Sequence, residues 1–323
     1  MNRWEIVEKK GSEEVAVVYL LRSAREKGVF IECVESLDPP KPPEEKWVMT
    51  LSSQKGCPAG CVFCDASYYY GGSLAKEDLA AQLDIMTGRH LDDGRMRSKK
   101  IKLHFARMGE PAFNDAILDF LPELSARYGN ASFIPTIATV GPAGRGRWFA
   151  RLREIKDLYF GGGNFQLQFS MNTTDEAHRD RIMPVRKISF AEIAGLGKRW
   201  FRKGDRKVTL NYALFKESPF DAGSIAALFD PGLFLVKITP MNPTTRAESL
   251  GMESDMDFAG GVSQRVKDAK ARLESGGFDV ILSAGSIEEI MTGSNCGQLA
   301  FARRIMEKEG SSGGIMNHGG ADG

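Results

Sequence analysis

The chain has 323 residues, with 43 Lys plus Arg against 42 Asp plus Glu, a formal net charge of +1 and 42% hydrophobic residues. That is enough for one large domain or two modest ones with a full core, and no apolar stretch approaches the ~20 residues of a membrane span. The opening Met1-Asn2-Arg3-Trp4-Glu5 carries no secretory pattern, so a soluble, cytoplasmic protein is expected, and near-neutral charge speaks against a wide grip on nucleic-acid phosphates.

In chain order, apolar runs at 15–21 and 29–34 predict a hairpin, and the Pro-rich stretch 38–44 a linker, so residues 1–46 read as an N-terminal β extension. Strands are then expected at 48–52, 100–105, 133–138, 165–170, 207–214 and 233–239. They alternate with helices at 74–87, 116–128, 146–156, 190–202, 222–229 and 257–275. Ser189 with Glu192 forms a capping box, and Asn114 and Asp115 mark the start of the second helix. Six strand–helix units over residues 47–285 predict an α/β fold with a parallel sheet buried on both faces. Periodicity leaves an open doubly wound sheet and a partial barrel equally good. A further strand is expected at 279–283, a final helix at 297–309 within a Cys-bearing segment 286–309, and a disordered Gly/Ser-rich tail at 310–323.

Parallel α/β folds place their chemistry where strands run into loops. After the first strand comes Ser52-Ser53-Gln54, then Cys57, Cys61 and Cys64 spaced C-x3-C-x2-C. Such a cluster, in a chain with no export pattern, reads as metal or redox chemistry rather than disulfides. Three thiolates can hold three irons of a 4Fe-4S cluster and leave the fourth open. A closed zinc site or a four-Cys cluster would need another ligand, for which Asp65 is the nearest local candidate.

C-x3-C-x2-C with the aromatic Phe63 before its last Cys, in the loop after the first strand, resembles the radical S-adenosylmethionine (SAM) superfamily. Met108-Gly109-Glu110-Pro111 with Asn114, the run from Ile238 through Asn242 to Pro243, and Asn295-Cys296-Gly297-Gln298-Leu299-Ala300 extend the resemblance to the RlmN/Cfr adenosine methyltransferases over about residues 47–307. The resemblance implies a partial (β/α)6 barrel of the radical SAM type. It also implies a 4Fe-4S cluster on Cys57, Cys61 and Cys64 whose open iron takes SAM. Gly109, Glu110, Thr139, Ser170, Asn242 and Phe63 would then bind the cofactor. Cys296 would be the cysteine that SAM methylates; a radical from a second SAM activates that methyl, and the methylene adds to an sp2 carbon. A reductant such as flavodoxin or ferredoxin is an implied partner. A thiolate suits the role because it is a good nucleophile toward a sulfonium methyl.

Two departures stand out. The family's second cysteine, seven residues before the first cluster ligand, is Thr50 here, and an alcohol neither ionises like a thiol nor forms a disulfide. The family's N-terminal helical domain is replaced by about 46 residues that read as β, and Ser286-Ile287-Glu288-Glu289-Ile290 is acidic. A small molecule is therefore favoured over RNA as the substrate, with direct hydrogen abstraction, or an RNA C-methyltransferase with an unusual release step, as alternatives. Tyr68-Tyr69-Tyr70 reads equally as cavity lining or as packing under the loop, Cys33 as strand core, and His90, His104 and His178 as structural.

Overall fold

The computed structural model describes residues 3–37, 42, 44–88, 90–92, 95–127, 132–257, 259–284 and 297–312. The chain begins with β1 (Trp4–Ser12), β2 (Ala16–Ser23) and β3 (Phe30–Ser36), an antiparallel meander. β4 (Trp47–Leu51) pairs antiparallel with β3, and two short ribbons follow, β5 (Gln54–Gly56) with β6 (Tyr70–Ser73) and β7 (Leu91–Asp92) with β8 (Arg95–Met96). From β4 onward the main sheet is parallel through β9 (Lys100–Phe105), β10 (Ser132–Thr139), β11 (Gln166–Ser170), β12 (Val208–Leu214), β13 (Phe234–Pro240) and β14 (Asp279–Leu282). Among the described residues one ten-stranded sheet results, with β1 and β14 at its two edges. Its parallel part is the partial barrel expected of the strand–helix units, with β14 as a seventh parallel strand.

Among the described residues these α-helices accompany it: α1 (Lys76–Thr87), α2 (Ala116–Phe120), α3 (Leu124–Arg127), α4 (Gly146–Tyr159), α5 (Glu176–Ile182), α6 (Phe190–Trp200), α7 (Ala222–Leu228), α8 (Thr245–Ser249), α9 (Gln264–Ser275) and α10 (Gln298–Ser312). Strand alternation decides the layering. Ile101, Leu103, Phe105, Leu167, Phe169, Leu210, Tyr212, Val236 and Ile238 are at most 1% exposed and belong to the apolar core. Their neighbours Lys102, His104, Gln168, Asn211, Lys237 and Thr239 point to the other face and are half-buried. The concave face of the barrel is thus polar along several strands.

The structure corrects several sequence expectations. The N-terminal region has three strands rather than a hairpin, because β1 (Trp-Glu-Ile-Val-Glu-Lys-Lys-Gly-Ser) buries only Trp4 and shows no alternation. It is the outer edge of the sheet, where exposed charge blocks further pairing. The expected helix 116–128 breaks at Pro122 into α2, a 3-10 turn and α3. The helix expected from residue 257 starts only at Gln264, because Met256 first bridges to Val262. The last helix continues to Ser312, into the expected tail. The Ser189–Glu192 capping box forms as read, and the Asn114 Oδ1 accepts from the Ala116 N–H at 3.0 Å. Among the described residues no helix is long and apolar enough to cross a membrane.

Candidate active site

The three cysteines lie in the loop clasped by the β5–β6 ribbon. Gly56 has φ +80°, and a Cβ there would stand 1.7 Å from the Tyr69 carbonyl, so only glycine lets the ribbon close. The Cys57 N–H then donates to that carbonyl at 3.0 Å. Val62 N–H bonds the Ile182 carbonyl at 3.0 Å and Val185 N–H the Ala59 carbonyl at 3.3 Å, fastening the loop to α5 and its exit. Burial pushes the Cys57 and Cys61 thiols up, and each is raised further by its neighbours in the trio. Ionised together, the buried Cys61 and the half-buried Cys57 and Cys64 would repel one another and need compensating positive charge, which an iron–sulfur cluster supplies. Three thiols in one loop are the donor set that a 4Fe-4S cluster takes, one thiolate per iron, with the fourth iron left open. Asp65 is committed elsewhere, since its two carboxylate oxygens accept the Thr245 and Arg246 N–H groups, each at 3.0 Å, at the start of α8.

Ser52-Ser53-Gln54 and Met108-Gly109-Glu110 form one physical unit. Ser53 N–H donates to the Met108 carbonyl at 2.7 Å, and Met108 N–H donates to Ser52 Oγ at 3.2 Å. Glu110 N–H donates to Gln54 Oε1 at 2.9 Å, while Asn114 Nδ2 donates to the Ser53 and Leu74 carbonyls at 2.7 and 2.9 Å. Gly109 has φ +107°, and a Cβ would lie 2.5 Å from Ser53 Oγ and 2.7 Å from the Gln54 Cβ. Any side chain there would separate the two loops.

Glu110 is 3% exposed. Its carboxylate accepts from Thr139 Oγ1, from Val140 N–H at 2.8 Å and from Ala112 N–H at 3.0 Å. Burial raises its pKa to about 7, against the lowering pull of those three donors. Thr139 Oγ1 also accepts from Gly141 N–H at 2.9 Å, so its hydroxyl orients Glu110.

Ser170 and Asn242 end β11 and follow β13 on the same rim. Asn242 is exposed, and its carbonyl accepts from Thr244 N–H at 2.9 Å. Phe63 packs over the small apolar cluster around Cys61 and Met183, and its carbonyl accepts from Thr244 Oγ1 at 2.5 Å. Two contributors escaped the sequence reading. Arg179 of α5, 2% exposed, donates to the Val140 carbonyl at 2.8 Å, Ser170 at 3.1 Å and Ile188 at 3.1 Å. It ties two strand ends together beneath the rim, and burial lowers its pKa to about 10. Asn172 takes φ +60°, which asparagine tolerates, and its Oδ1 accepts from Ala213 N–H at 3.0 Å. An Arg in a short helix reads as surface, so Arg179 carries no pattern that would have singled it out, whereas Asn172 stands with Ser170 among the polar groups at the end of the fourth strand.

Cys296 and the acidic 286–290 stretch lie outside the described residues. The chain neighbour of Cys296 is well placed: Gly297, at φ +81°, packs so that a Cβ would lie 2.5 Å from the Ala66 amide nitrogen, two residues past Cys64. Glu32 of β3, fully buried, accepts from Gly297 N–H at 3.1 Å and Ala300 N–H at 2.7 Å and pairs with Arg107 at 2.5 Å. The N-terminal meander thereby caps α10 and seats it on the cysteine loop. Tyr68 stacks edge-on against Phe301, and the Arg304 guanidinium covers Tyr69 at 3.5 Å, so both pack against α10 while lining a small pocket beside it; Tyr68 and Tyr70 are 44% and 48% exposed. Cys33 is core, as expected. His90 bonds Glu35 at 2.9 Å, and His178 Nδ1 meets Arg181 at 3.2 Å. Thr50 stands half-buried in β4, in register with His104.

Comparison with known proteins places this geometry. The chain is 26% identical over 271 residues to a Synechococcus sp. (strain CC9311) protein named "Probable dual-specificity RNA methyltransferase RlmN", covering 81% of this chain and 72% of that one. A Chlorobium chlorochromatii protein of the same name is 30% identical over 193 residues, 57% of this chain and 48% of its own length. No family model matches the chain. In fold it resembles a radical SAM methyltransferase from Sphaerobacter thermophilus, with TM-score 0.71, 20% identity, and 92% of this chain and 81% of that one covered.

Proposed function

From the premise that this chain is a divergent RlmN/Cfr-like member of the radical SAM enzymes, a C-methyltransferase working with a 4Fe-4S cluster and SAM, we propose that it transfers a methyl-derived carbon through Cys296 to an sp2 carbon of a small or non-rRNA substrate. Bound together, the cluster and SAM supply an electrophilic methyl group and a hydrogen-abstracting radical. Cys57, Cys61 and Cys64 would hold the cluster and leave one iron for SAM. Ionised Glu110, oriented by Thr139, would take the SAM ammonium, with the backbone at Gly109 alongside it. Ser170 and Asn242 from the strand ends and Phe63 from the cysteine loop would complete the contacts. Cys296, as thiolate, would accept the methyl group and carry the carbon to the substrate. Thr50 cannot release the product as a thiol would, so release follows another route.

The observation that carries this reading is the seat of Gly297 on Ala66, held by Glu32, which fastens the residue after Cys296 to the cluster loop. The test is anaerobic reconstitution with iron, sulfide, reductant and SAM carrying a deuterated methyl group, read by peptide mass spectrometry. A labelled methyl on Cys296 with S-adenosylhomocysteine is expected. Unmodified Cys296 with 5'-deoxyadenosine alone overturns transfer through this residue in favour of direct hydrogen abstraction. A second reading, an RNA adenosine as substrate, is supported by the relatives named RNA methyltransferases; label appearing in added RNA and not in nucleotides would select it.

A further inference from the structure

Glu110 and the cysteine loop come from different segments of chain, and a ligand that meets Glu110 and the open iron together requires a fixed distance between them. The short helix α5 spans that gap. At its start the Glu176 carboxylate accepts the Phe190 N–H at 2.6 Å, which pins α5 to the head of α6. At its end the Ile182 carbonyl accepts the N–H of Val62, the residue after Cys61, and just beyond it the Val185 N–H donates to the Ala59 carbonyl. The loop also rides close on that exit: Gly60 has φ +71°, and a Cβ there would stand 3.2 Å from Pro184 Cγ. The cysteine loop is therefore held by α5.

Arg179, in the middle of α5, makes the other half of the connection. Its Nη2 donates to the Val140 carbonyl at 2.8 Å and to the Ser170 carbonyl at 3.1 Å, and its Nη1 donates to the Ile188 carbonyl at 3.1 Å. Val140 is also the residue whose N–H donates to Glu110 Oε2 at 2.8 Å, so hydrogen bonds lead from Arg179 through Val140 to Glu110. The guanidinium lies against the Phe190 ring, 5.3 Å from its centroid, a cation–π contact that steadies it. A planar fork of donors holds three carbonyls in a fixed relation, which the single ammonium of a lysine does not. Charge adds to geometry: burial raises the Glu110 carboxyl, and the Arg179 guanidinium is among the influences that draw it back toward the ionised form.

Tying strand ends together does not by itself call for such a residue. A buried guanidinium carries a large desolvation cost, and among the described residues the hydrogen bonds of Arg179 go to backbone carbonyls and none to a carboxylate. Local rules are broken in this way chiefly at functional sites. We infer that Arg179 is the positioning residue that holds Glu110 at the working distance from the cysteine loop, so that one SAM molecule meets both. The inference rests on the proposed reading that Glu110 takes the SAM ammonium.

The test uses full-length protein reconstituted anaerobically as wild type, Arg179→Met, Arg179→Lys, Glu110→Gln and the Glu110→Gln/Arg179→Met double variant. Iron content and melting temperature report cluster and fold. SAM affinity is measured by calorimetry, and the electron paramagnetic resonance spectrum of the reduced cluster is recorded with and without SAM. Arg179→Met is expected to keep its iron yet bind SAM at least about tenfold more weakly, as a displacement of about 1 Å at a positioned contact predicts. The SAM-induced change in its spectrum should be lost at SAM concentrations that saturate wild type. Arg179→Lys keeps the charge without the fork and should fall between the two; it takes the place of Arg179→Met throughout if that variant does not fold. Because Arg179 acts through Glu110, adding Arg179→Met to Glu110→Gln should weaken SAM binding by no more than about twofold further. An affinity loss that only tracks loss of iron, an unchanged affinity in folded Arg179 variants, or a full tenfold loss added to that of Glu110→Gln overturns the inference. Glu110→Gln binding SAM as wild type does overturns instead the reading of Glu110 on which the inference stands, so that one variant tells the two failures apart.

Discussion

The rim and the lumen of the same barrel are built on opposite principles. At the rim the polar groups around the candidate cofactor site are committed: Glu110 accepts three donors, Asp65 caps a helix, Thr139 both donates and accepts, and Arg179 serves three carbonyls. A few residues below, on the wall of the lumen, Thr136 Oγ1 and His104 Nε2 are buried without a hydrogen-bond partner. A site rigid before its ligand arrives loses little conformational freedom on binding and holds reacting groups in place. The lumen wall, by contrast, keeps two buried polar atoms unpaired.

Breaking the rim gives the largest expected effect. Cys61→Ala should abolish the cluster's visible absorbance after reconstitution and with it all cleavage of SAM, whereas wild-type protein regains both; a variant that still cleaves SAM would remove Cys61 from the ligand set. Next comes the clamp beneath the rim. Arg179→Met should lower unfolding free energy by about 3–5 kcal/mol in denaturant melts, because three carbonyls at the strand ends lose their donor inside the protein. A loss below about 1 kcal/mol would mean that water replaces the guanidinium.

The smallest of the three effects sharpens the comparison. Glu110→Gln should weaken SAM binding roughly 10–100-fold, the equivalent of about 1.5–3 kcal/mol for a hydrogen bond to a charged group. In wild-type protein the carboxyl pKa of about 7 makes SAM affinity fall about fivefold from pH 7 to 6, as the carboxylate takes up a proton; the variant's profile should lack this component. The sign for stability is the reverse. Because the folded value lies above that of a free glutamate, the unliganded protein is favoured at low pH and loses stability as pH rises from about 4.5 to 7. Binding profiles that superimpose would show that the SAM ammonium does not meet Glu110.

Much of the rim was legible in the residues. C-x3-C-x2-C is a ligand count, and the two short motifs Ser52-Ser53-Gln54 and Met108-Gly109-Glu110 with Asn114 are the ones whose members hydrogen-bond to each other in the fold. The six parallel strands were equally plain as short β-branched and aromatic runs between helical patterns, although the polar lumen face departs from the burial on both faces that such strands predict. β1 was not, since an edge strand with one buried side chain has no period to detect. Nor was Arg179, whose burial depends on three carbonyls that come from separate segments of chain.

By itself, the sequence determined the C-x3-C-x2-C spacing and the order of strand and helix, because these depend on residue type and short spacing. Only the tertiary structure decided that Glu32, from a meander read as a peripheral hairpin, caps the helix after Cys296, and that Lys102, His104, Thr136 and Lys237 share one cavity. Those residues are far apart in the chain and individually ordinary. They acquire their chemistry from strand register and pleat, which set which side chains face inward and which strands stand side by side.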